Sequence, residues 1–459
     1  MKKAIVLAAG EGTRMKSTMP KVLHKVLGLP MLEHVIRELK ALEIEEIIVI
    51  IGHGKDHILE AFKDSDIKFV EQPIGDGAPY GTGYAVMQAI HKINPEDEVL
   101  VVCGDTPLIK SESLNDLMEK NKQSGTKASV MTTVIENNFG YGRIVKDGEG
   151  NVMGIVEEKD ADFETKKIKE INSGIYVFEG NALIENLKYL DSNNSQGELY
   201  LTDVIKILND KGEKVSAVII EDDTEILGVN SRVQLSECEA ILRKRVNTFW
   251  MNEGVTIVNP DTVIIEPDVK IGRGTIIYPN VRLMGSTTIG ERCSLEGDTR
   301  ILDSTVGDEC IILSSYIEES ILKDRVSVGP FAHFRPNTVV YEGAHIGNFV
   351  ELKNTNFGVK SKAGHLAYVG DADVGDDVNI GCGVITVNYN GKEKFRTVIE
   401  DGAFIGSNSN LVAPIKIEKN AYVACGSSIT KDVESEALAI ERAEQKIITG
   451  WVRRKNLIK

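Results

Sequence analysis

The feature that most limits what this chain can fold into is a ladder of apolar residues spaced six apart in its second half. Ile265, Ile271, Ile277, Leu283, Ile289, Leu295 and Ile301 hold one register. Val328, Phe334, Val340, Ile346 and Leu352 hold a second, and Ile405, Leu411, Ile417, Val423 and Ile429 a third. A small or apolar residue often stands two positions earlier, as at Val263, Val269, Ser409 and Ala421. Period six is neither helical nor simple strand alternation. It predicts a solenoid in which each short strand contributes one inward side chain and then turns a corner. Glycine often follows the inward residue, as at Gly272, Gly290, Gly347 and Gly406, where a corner calls for backbone conformations open to glycine. The pattern breaks once, between about Lys353 and Val398. Regular packing does not require so long a departure, and long ordered loops are usually functional, so the break is a candidate site.

At 459 residues the chain exceeds the size at which one core keeps growing, so two domains are expected. A net charge of −16 without a basic stripe argues against a nucleic-acid surface. The six cysteines are scattered without a CxxC pair, which fits reduced thiols packed as small hydrophobes. The opening MKKAIVLAAGEGTR stops being apolar at Gly10 and reads as a buried first strand rather than a signal peptide. No apolar run approaches the roughly 20 residues of a membrane span. A cytoplasmic location follows as the expectation.

In the first half, strand-like runs at 3–9, 47–51, 67–70, 98–103, 128–134 and 174–178 alternate with helical patterns at 31–42, 82–93 and 113–123. Such alternation predicts an α/β domain with a mostly parallel, Rossmann-like sheet covered on both faces. Ligands then bind beyond the carboxyl ends of strands, which selects the loops after Ala9, Val70 and Cys103. The first, LAAGEGTRMKSTMPKVL, has Gly10-x-Gly12 but lacks the third glycine of a dinucleotide loop and the Lys-Ser/Thr of a P-loop. It offers glycine-freed amides and two cations, Arg14 and Lys21, a combination suited to a triphosphate. The third carries Asp105 just past a buried strand, a natural Mg²⁺ ligand because Mg²⁺ takes few protein carboxylates alongside phosphates. A helix N-cap would look similar.

Taken together, LAAGxGTRM…PK, GTG at 81–83, GD at 104–105, YGRI at 141–144, VEEKD at 156–160, INSGIY at 171–176 and GVNSR at 228–232 resemble the sugar-1-phosphate nucleotidylyltransferases. The similarity is greatest to the bacterial bifunctional N-acetylglucosamine-1-phosphate uridylyltransferase/glucosamine-1-phosphate acetyltransferases, and it covers essentially the whole chain. The resemblance implies a uridylyltransferase domain (1–228), a linker helix (229–252) and a left-handed parallel β-helix of hexapeptide repeats with acetyltransferase activity (253–459). It implies that Leu7, Ala8, Ala9, Gly10, Arg14 and Lys21 hold the nucleotide, with Arg14 and Lys21 neutralising charge in the reaction. Gln72, Gly81 and Thr82 would face the uracil of UTP. Asp105 and Asn230 would hold Mg²⁺, and Gly142, Glu157, Asn172 and Asn230 the sugar. The spacer PIGDGAPY (73–80) is longer than is usual in that family and lacks its second glutamine. Tyr84 replaces a histidine and Cys103 a common tyrosine.

In the second half the resemblance implies His365 as the general base for the glucosamine amine, and a residue that titrates near neutrality suits that task. Arg335 and Lys353 would clamp the sugar phosphate, and Tyr368 and Asn379 the sugar. Cys382, Asn388, Tyr389, Ser407, Cys425 and Arg442 would receive acetyl-CoA, the two cysteines standing where alanine is expected. Homotrimers are implied, with the coenzyme between neighbouring β-helices and the product entering UDP-N-acetylglucosamine and cell-wall synthesis. The tail after Ser435 is expected to cap the open end of the solenoid. Leu235, Cys238, Leu242, Val246 and Phe249 at three- and four-residue steps predict one amphipathic joining helix. A zinc site is disfavoured because His333 and His345, 12 apart, fall on different faces. A nucleotidylyltransferase with the β-helix as a mere oligomerisation scaffold is disfavoured by Arg335, Lys353, His365, Tyr368 and Asn388-Tyr389 occurring together.

Overall fold

The computed structural model describes residues 1–75 and 77–458. Asp76, inside the long 73–80 spacer, and Lys459 lie outside the described residues. Internal contacts divide the chain into Met1–Leu242 and Arg243–Lys459. The division falls inside the expected joining helix, which runs Arg232–Asn252.

In the first unit the central strand Lys2–Ala8 pairs in parallel with Glu46–Ile51 on one side and Glu98–Cys103 on the other. The full path runs Val215–Ile219, Ala128–Val134, Glu170–Glu179, Glu98–Cys103, Lys2–Ala8, Glu46–Ile51, Lys68–Glu71. Glu170–Glu179 is antiparallel to both its neighbours. Ile5, Val6, Ile48, Val49, Val101 and Val102 are fully buried, because helices cover both faces; this is why these strands read as unbroken apolar runs. The helices Met31–Ala41, Thr82–Ala89 and Ser111–Ser124 lie close to their predicted spans. An antiparallel hairpin, Arg143–Lys146 with Val152–Val156, is attached to the Glu170–Glu179 strand and was not among the strands read from sequence. The carboxyl ends at Ala8, Glu71 and Cys103 gather at one edge of the sheet.

The second unit is a parallel β-helix. Each short strand pairs with the one three further along: Ile264–Ile265 with Arg282–Met284, and that with Arg300–Leu302. The result is a three-sided coil. Every residue of the three predicted registers lies in one continuous core. The registers differ because coils differ in length. Residues stacked on successive coils are 18 apart at Asn410–Ser428, 17 at Val359–Asp376 and 16 at Asp308–Asp324. A shortened coil moves the inward position off the period of six without disturbing the wall.

That behaviour corrects the predicted break at 353–398. The wall continues through it, since His345–Phe357 and Lys362–Val374 are long paired strands and Phe357, Ala363, Val369 and Val374 belong to the core. The true departure is a loop between Ile385–Val387 and Thr397–Ile399 that lengthens the coil, so that Asp376 and Asp401 stack 25 apart. Other expectations also shift. Leu235, Cys238 and Leu242 pack within the first unit, whereas Val246 and Trp250 pack on the β-helix core and Phe249 is exposed. Leu438–Ala439 adds onto Tyr422–Val423 and Glu441 Oε2 accepts from Ser428 N at 3.2 Å, whereas residues 443–458, with Lys446, Arg453, Arg454 and Lys455, are exposed.

Gly272, Gly290, Gly347 and Gly406 serve closeness rather than unusual dihedrals. Gly347 has no left-handed φ, yet a Cβ there would sit 1.8 Å from the Gly364 carbonyl oxygen on the next coil. Gly347→Ala must push two coils apart and is expected to destabilise the β-helix by roughly 1–3 kcal/mol, as overpacking does. Gly364→Ala meets nothing within 4 Å and serves as the control. Equal thermal unfolding of the two variants would contradict the close-approach account.

Candidate active sites

A cleft of about 730 Å³, open to solvent, lies at the carboxyl ends of the first unit's strands. Its wall includes Leu7, Ala8, Ala9, Gly10, Lys21, Gln72, Gly81, Thr82 and Asp105, nine of the residues assigned to nucleotide or metal. Strand ends and one loop bring them together. Gly104 donates its backbone N–H to the Leu7 carbonyl at 2.9 Å, and Val229 donates to the Asp105 carbonyl at 2.9 Å. Lys21 Nζ then donates to both Asp105 Oδ2 and Asn230 Oδ1, the latter at 2.9 Å. Two oxygen donors thus converge on one cation. That donor set fits Mg²⁺, which accepts a carboxylate and an amide oxygen and completes its shell with water and phosphate. Arg14 stands on the exposed turn Thr13–Met15, outside the cleft wall.

The predicted sugar residues form a second group. A Cβ on Gly142 would lie 3.4 Å from both Asn172 Cβ and Glu157 Oε2. Asn172 is positioned by a bulge in Glu170–Glu179, where pairing with Ala128–Val134 shifts register between Asn172 and Tyr176, a common way to re-aim side chains. Its Nδ2 donates to the Tyr176 hydroxyl at 2.7 Å and its Oδ1 accepts from Gly174 N at 3.1 Å. A Cβ on Gly174 would lie 3.3 Å from Cys103 Sγ, and Cys103 lines the cleft described above. Burial raises the Glu157 carboxyl against the opposing hydrogen bond from Thr202. Burial, and then the Asp105 charge, pushes the Cys103 thiol up to about 12, so it stays protonated near neutrality.

Sequence reasoning missed Val22, Tyr80, Ala85 and Glu198 in the same wall. Glu198 arrives through a long-range clamp: Leu199 N donates to Tyr80 O at 2.7 Å, and Gly83 N donates to Leu199 O at 2.8 Å. A Cβ on Gly81 would lie 2.4 Å from Leu199 O, so glycine in GTG answers to a residue 118 positions away in sequence, which no local pattern announces. Thr82 Oγ1 accepts from Leu201 N at 3.0 Å, a structural use of that hydroxyl.

In the second unit, one corner of successive coils carries His365, Cys382, Ser407, Cys425 and Arg442 in a column. Asn408 N donates to Cys382 O at 2.7 Å and Gly426 N to Ser407 O at 2.8 Å, and Arg442 approaches Cys425 Sγ at 3.9 Å. His365 is exposed and in register with Asn348. From this corner a flat face leads through Tyr368, which pairs with Glu351 and Ile385, to the next corner. There Arg335 contacts Glu351 at 3.2 Å. Asn388 is buried, its Nδ2 donating to Asp371 at 2.5 Å and Tyr368 Oη at 3.3 Å. Asn354 Nδ2 holds the other Asp371 oxygen at 2.6 Å. Asn379 stands on the face before the His365 corner, paired with Lys362 and Phe404. His333 and His345 fall on different faces, as their spacing predicts, in ladders with Glu351 and Lys362 respectively.

The loop after Val387 supplies a cation that sequence reasoning passed over. Lys394 bridges back to Tyr389, and the nearby Lys353 ammonium lowers its pKa from the ordinary value. Two ammonium groups that close favour an anion between them. Arg396 anchors the loop by binding Asp373 and donating to Asn354 O and Ala372 O, each at 3.1 Å.

Residues 4–149 match the MobA-like NTP transferase domain. Over the whole length the chain is similar to proteins named bifunctional protein GlmU. That of Clostridioides difficile is 49% identical, covering 99% of this chain and 98% of the relative. Those of Shouchella clausii and Streptococcus agalactiae are each 47% identical, covering 98% of this chain and 98% of the relative.

Proposed function

The chain belongs to the family of bifunctional GlmU proteins, and from that premise we propose how its two units divide one biosynthetic sequence. It is a two-site enzyme. The β-helix transfers the acetyl group of acetyl-CoA to the amine of glucosamine-1-phosphate, and the first unit joins the product to UTP, giving UDP-N-acetylglucosamine and pyrophosphate.

For acetyl transfer, the neutral amine attacks the thioester carbonyl, the C–N bond forms, the C–S bond breaks and coenzyme A leaves. His365 takes the proton that the amine sheds. Arg335, Lys353 and Lys394 hold the sugar phosphate at one corner while Tyr368 spans the face between it and His365. Coenzyme groups come from two corners of one chain: Cys382, Ser407, Cys425 and Arg442 from one, Asn388 and Tyr389 from the next. A site completed by a neighbouring copy reconciles these two sets, which supports a homotrimer. Exposed ring stacks on the same coils, Phe404–Tyr422 at 4.4 Å and Phe331–Phe349 at 5.3 Å, suit such a contact. Sedimentation equilibrium returning a single-chain mass would contradict it.

For uridylyl transfer no general base is needed, because a phosphate monoester is already anionic near neutrality, its second pKa being about 6. Its oxygen attacks the α-phosphorus of UTP, a P–O bond forms, and the bond to pyrophosphate breaks. Lys21 and the amides around Gly10 hold the triphosphate in line, and Gly142, Glu157 and Asn172 hold the acceptor. Gln72, Gly81 and Thr82 lie where the base would sit. Mg²⁺, held by Asp105 and Asn230, supplies charge neutralisation of the phosphates when bound.

The observation that most supports this reading is the gathering of nine nucleotide- and metal-assigned residues, Lys21 and Asp105 among them, in one cleft of the first unit. Its test is a pair of assays: coenzyme A release with glucosamine-1-phosphate, and pyrophosphate release with each of four nucleoside triphosphates. Release of both, with UTP preferred, is expected. Absence of coenzyme A release would leave the β-helix a scaffold, and equal use of all four triphosphates would overturn uridylyl specificity.

A further inference from the structure

We infer that Arg143 is a positioning residue for the sugar-phosphate acceptor of uridylyl transfer, acting through Glu158 from behind the wall of the site. The inference rests on the reading of Gly142, Glu157 and Asn172 as the acceptor site. Arg143 is only 1% exposed and is among the largest fully buried side chains of the molecule. A buried guanidinium is costly unless its partners are well placed, and for stability alone an apolar residue would often serve as well. Its partners are local. One terminal nitrogen donates to Glu158 Oε2 at 2.6 Å, the other to the Tyr141 carbonyl. Glu158 Oε2 also accepts from Gly140 N at 3.3 Å. Among the described residues Arg143 Nε has no hydrogen-bond partner, so the side chain sits where two contacts hold it rather than where all its donors are satisfied.

The arrangement brackets the acceptor wall. Arg143 stands opposite Val156 in the antiparallel hairpin, so each contact falls one residue from a wall group: Gly142 lies between Tyr141 and Arg143, and Glu157 lies between Val156 and Glu158. Successive residues of a strand point to opposite faces, which puts the Arg143 side chain behind Gly142 rather than in the cleft. The wall has little slack, since a Cβ on Gly142 would come within 3.1 Å of Ile155 Cγ2 and 3.4 Å of Glu157 Oε2. One guanidinium therefore fixes the spacing between Gly142 and the Glu157 carboxylate, and a displacement on the order of 1 Å at a positioning group can cost about a hundredfold in rate.

The test compares Arg143→Met, Arg143→Lys, Glu158→Gln and Glu157→Ala by uridylyl-transfer kinetics, with thermal unfolding recorded for each. For Arg143→Met the KM for N-acetylglucosamine-1-phosphate is expected to rise roughly tenfold with the KM for UTP nearly unchanged. Arg143→Lys recovers part of the loss, because an ammonium cannot reproduce the guanidinium fork. If Arg143→Met does not fold, Glu158→Gln reads the same contact, with a smaller rise in the same constant. A wild-type acceptor KM in the Arg143 and Glu158 variants, beside a raised one in Glu157→Ala, overturns the positioning role alone. A wild-type acceptor KM in Glu157→Ala overturns the acceptor-site reading and the inference with it. A parallel rise in both KM values marks general damage to the fold and also overturns the role.

Discussion

An Asp105→Ala enzyme is expected to lose uridylyl transfer by about a hundred- to a thousandfold, the cost of removing one preorganised charge-stabilising group, while acetyl transfer proceeds at the wild-type rate. The expectation follows from how the residue is held. Its backbone is fixed independently of its side chain, by the bonds of Gly104 to Leu7 and of Val229 to Asp105, so alanine keeps the loop and removes only the carboxylate. What is lost is one of the two oxygen donors facing the Lys21 ammonium. Asn230 alone leaves a neutral amide oxygen, a weak ligand for a hard dication. Asp105→Asn keeps an oxygen but not the charge and should fall between. Pyrophosphate release, followed at ordinary Mg²⁺ beside coenzyme A release from the same preparation, checks both halves. Sustained UDP-sugar synthesis by the alanine variant would sink the assignment.

The second large effect is the mirror image. His365→Ala should lower acetyl transfer by about a hundred- to ten-thousandfold, the usual contribution of a positioned general base, and leave uridylyl transfer intact. His365 is exposed at a corner, and among the described residues its side chain makes no hydrogen bond or ion pair. Truncation there removes no core packing, so thermal unfolding should not move. A variant that loses both activities, or one that melts early, would mean that the histidine serves the fold rather than the reaction. Rescue by a small external imidazole would strengthen the base assignment.

How much of this was legible beforehand differs between the two units. The inward face of the β-helix could be read residue by residue, because its wall repeats one side-chain choice on every coil, and Ile265 through Ile429 all fall in the core. Coil length was not legible. Nothing near Thr305 or Lys362 signals that one residue has been dropped, and a 17-residue coil looks in sequence like a lost pattern. Hence the expected break of 353–398 shrank to the loop carrying Asn388, Tyr389 and Lys394. In the first unit, strand ends pointed to Gly10, Lys21 and Asp105, because parallel sheets bind at that edge. Glu198 and Leu199 were invisible, since their place depends on a backbone clamp to Tyr80 and Gly83 that leaves no periodic trace. Phe249 was placed on the wrong side of its helix because heptad spacing favoured it over Trp250, and only packing could decide between adjacent aromatics.

The central claim is that the protein carries two independent sites joined by a released intermediate. It is tested most directly by mixing the two alanine variants. Given glucosamine-1-phosphate, acetyl-CoA, UTP and Mg²⁺, the Asp105→Ala protein alone should release coenzyme A at the wild-type rate and pyrophosphate only at its residual rate, and the His365→Ala protein alone should form UDP-N-acetylglucosamine only at its residual rate. The mixture should form it after a lag, as the acetylated sugar phosphate leaves one protein and enters the other. A mixture no faster than its components, or either variant completing the sequence by itself at the wild-type rate, would contradict the two-site account.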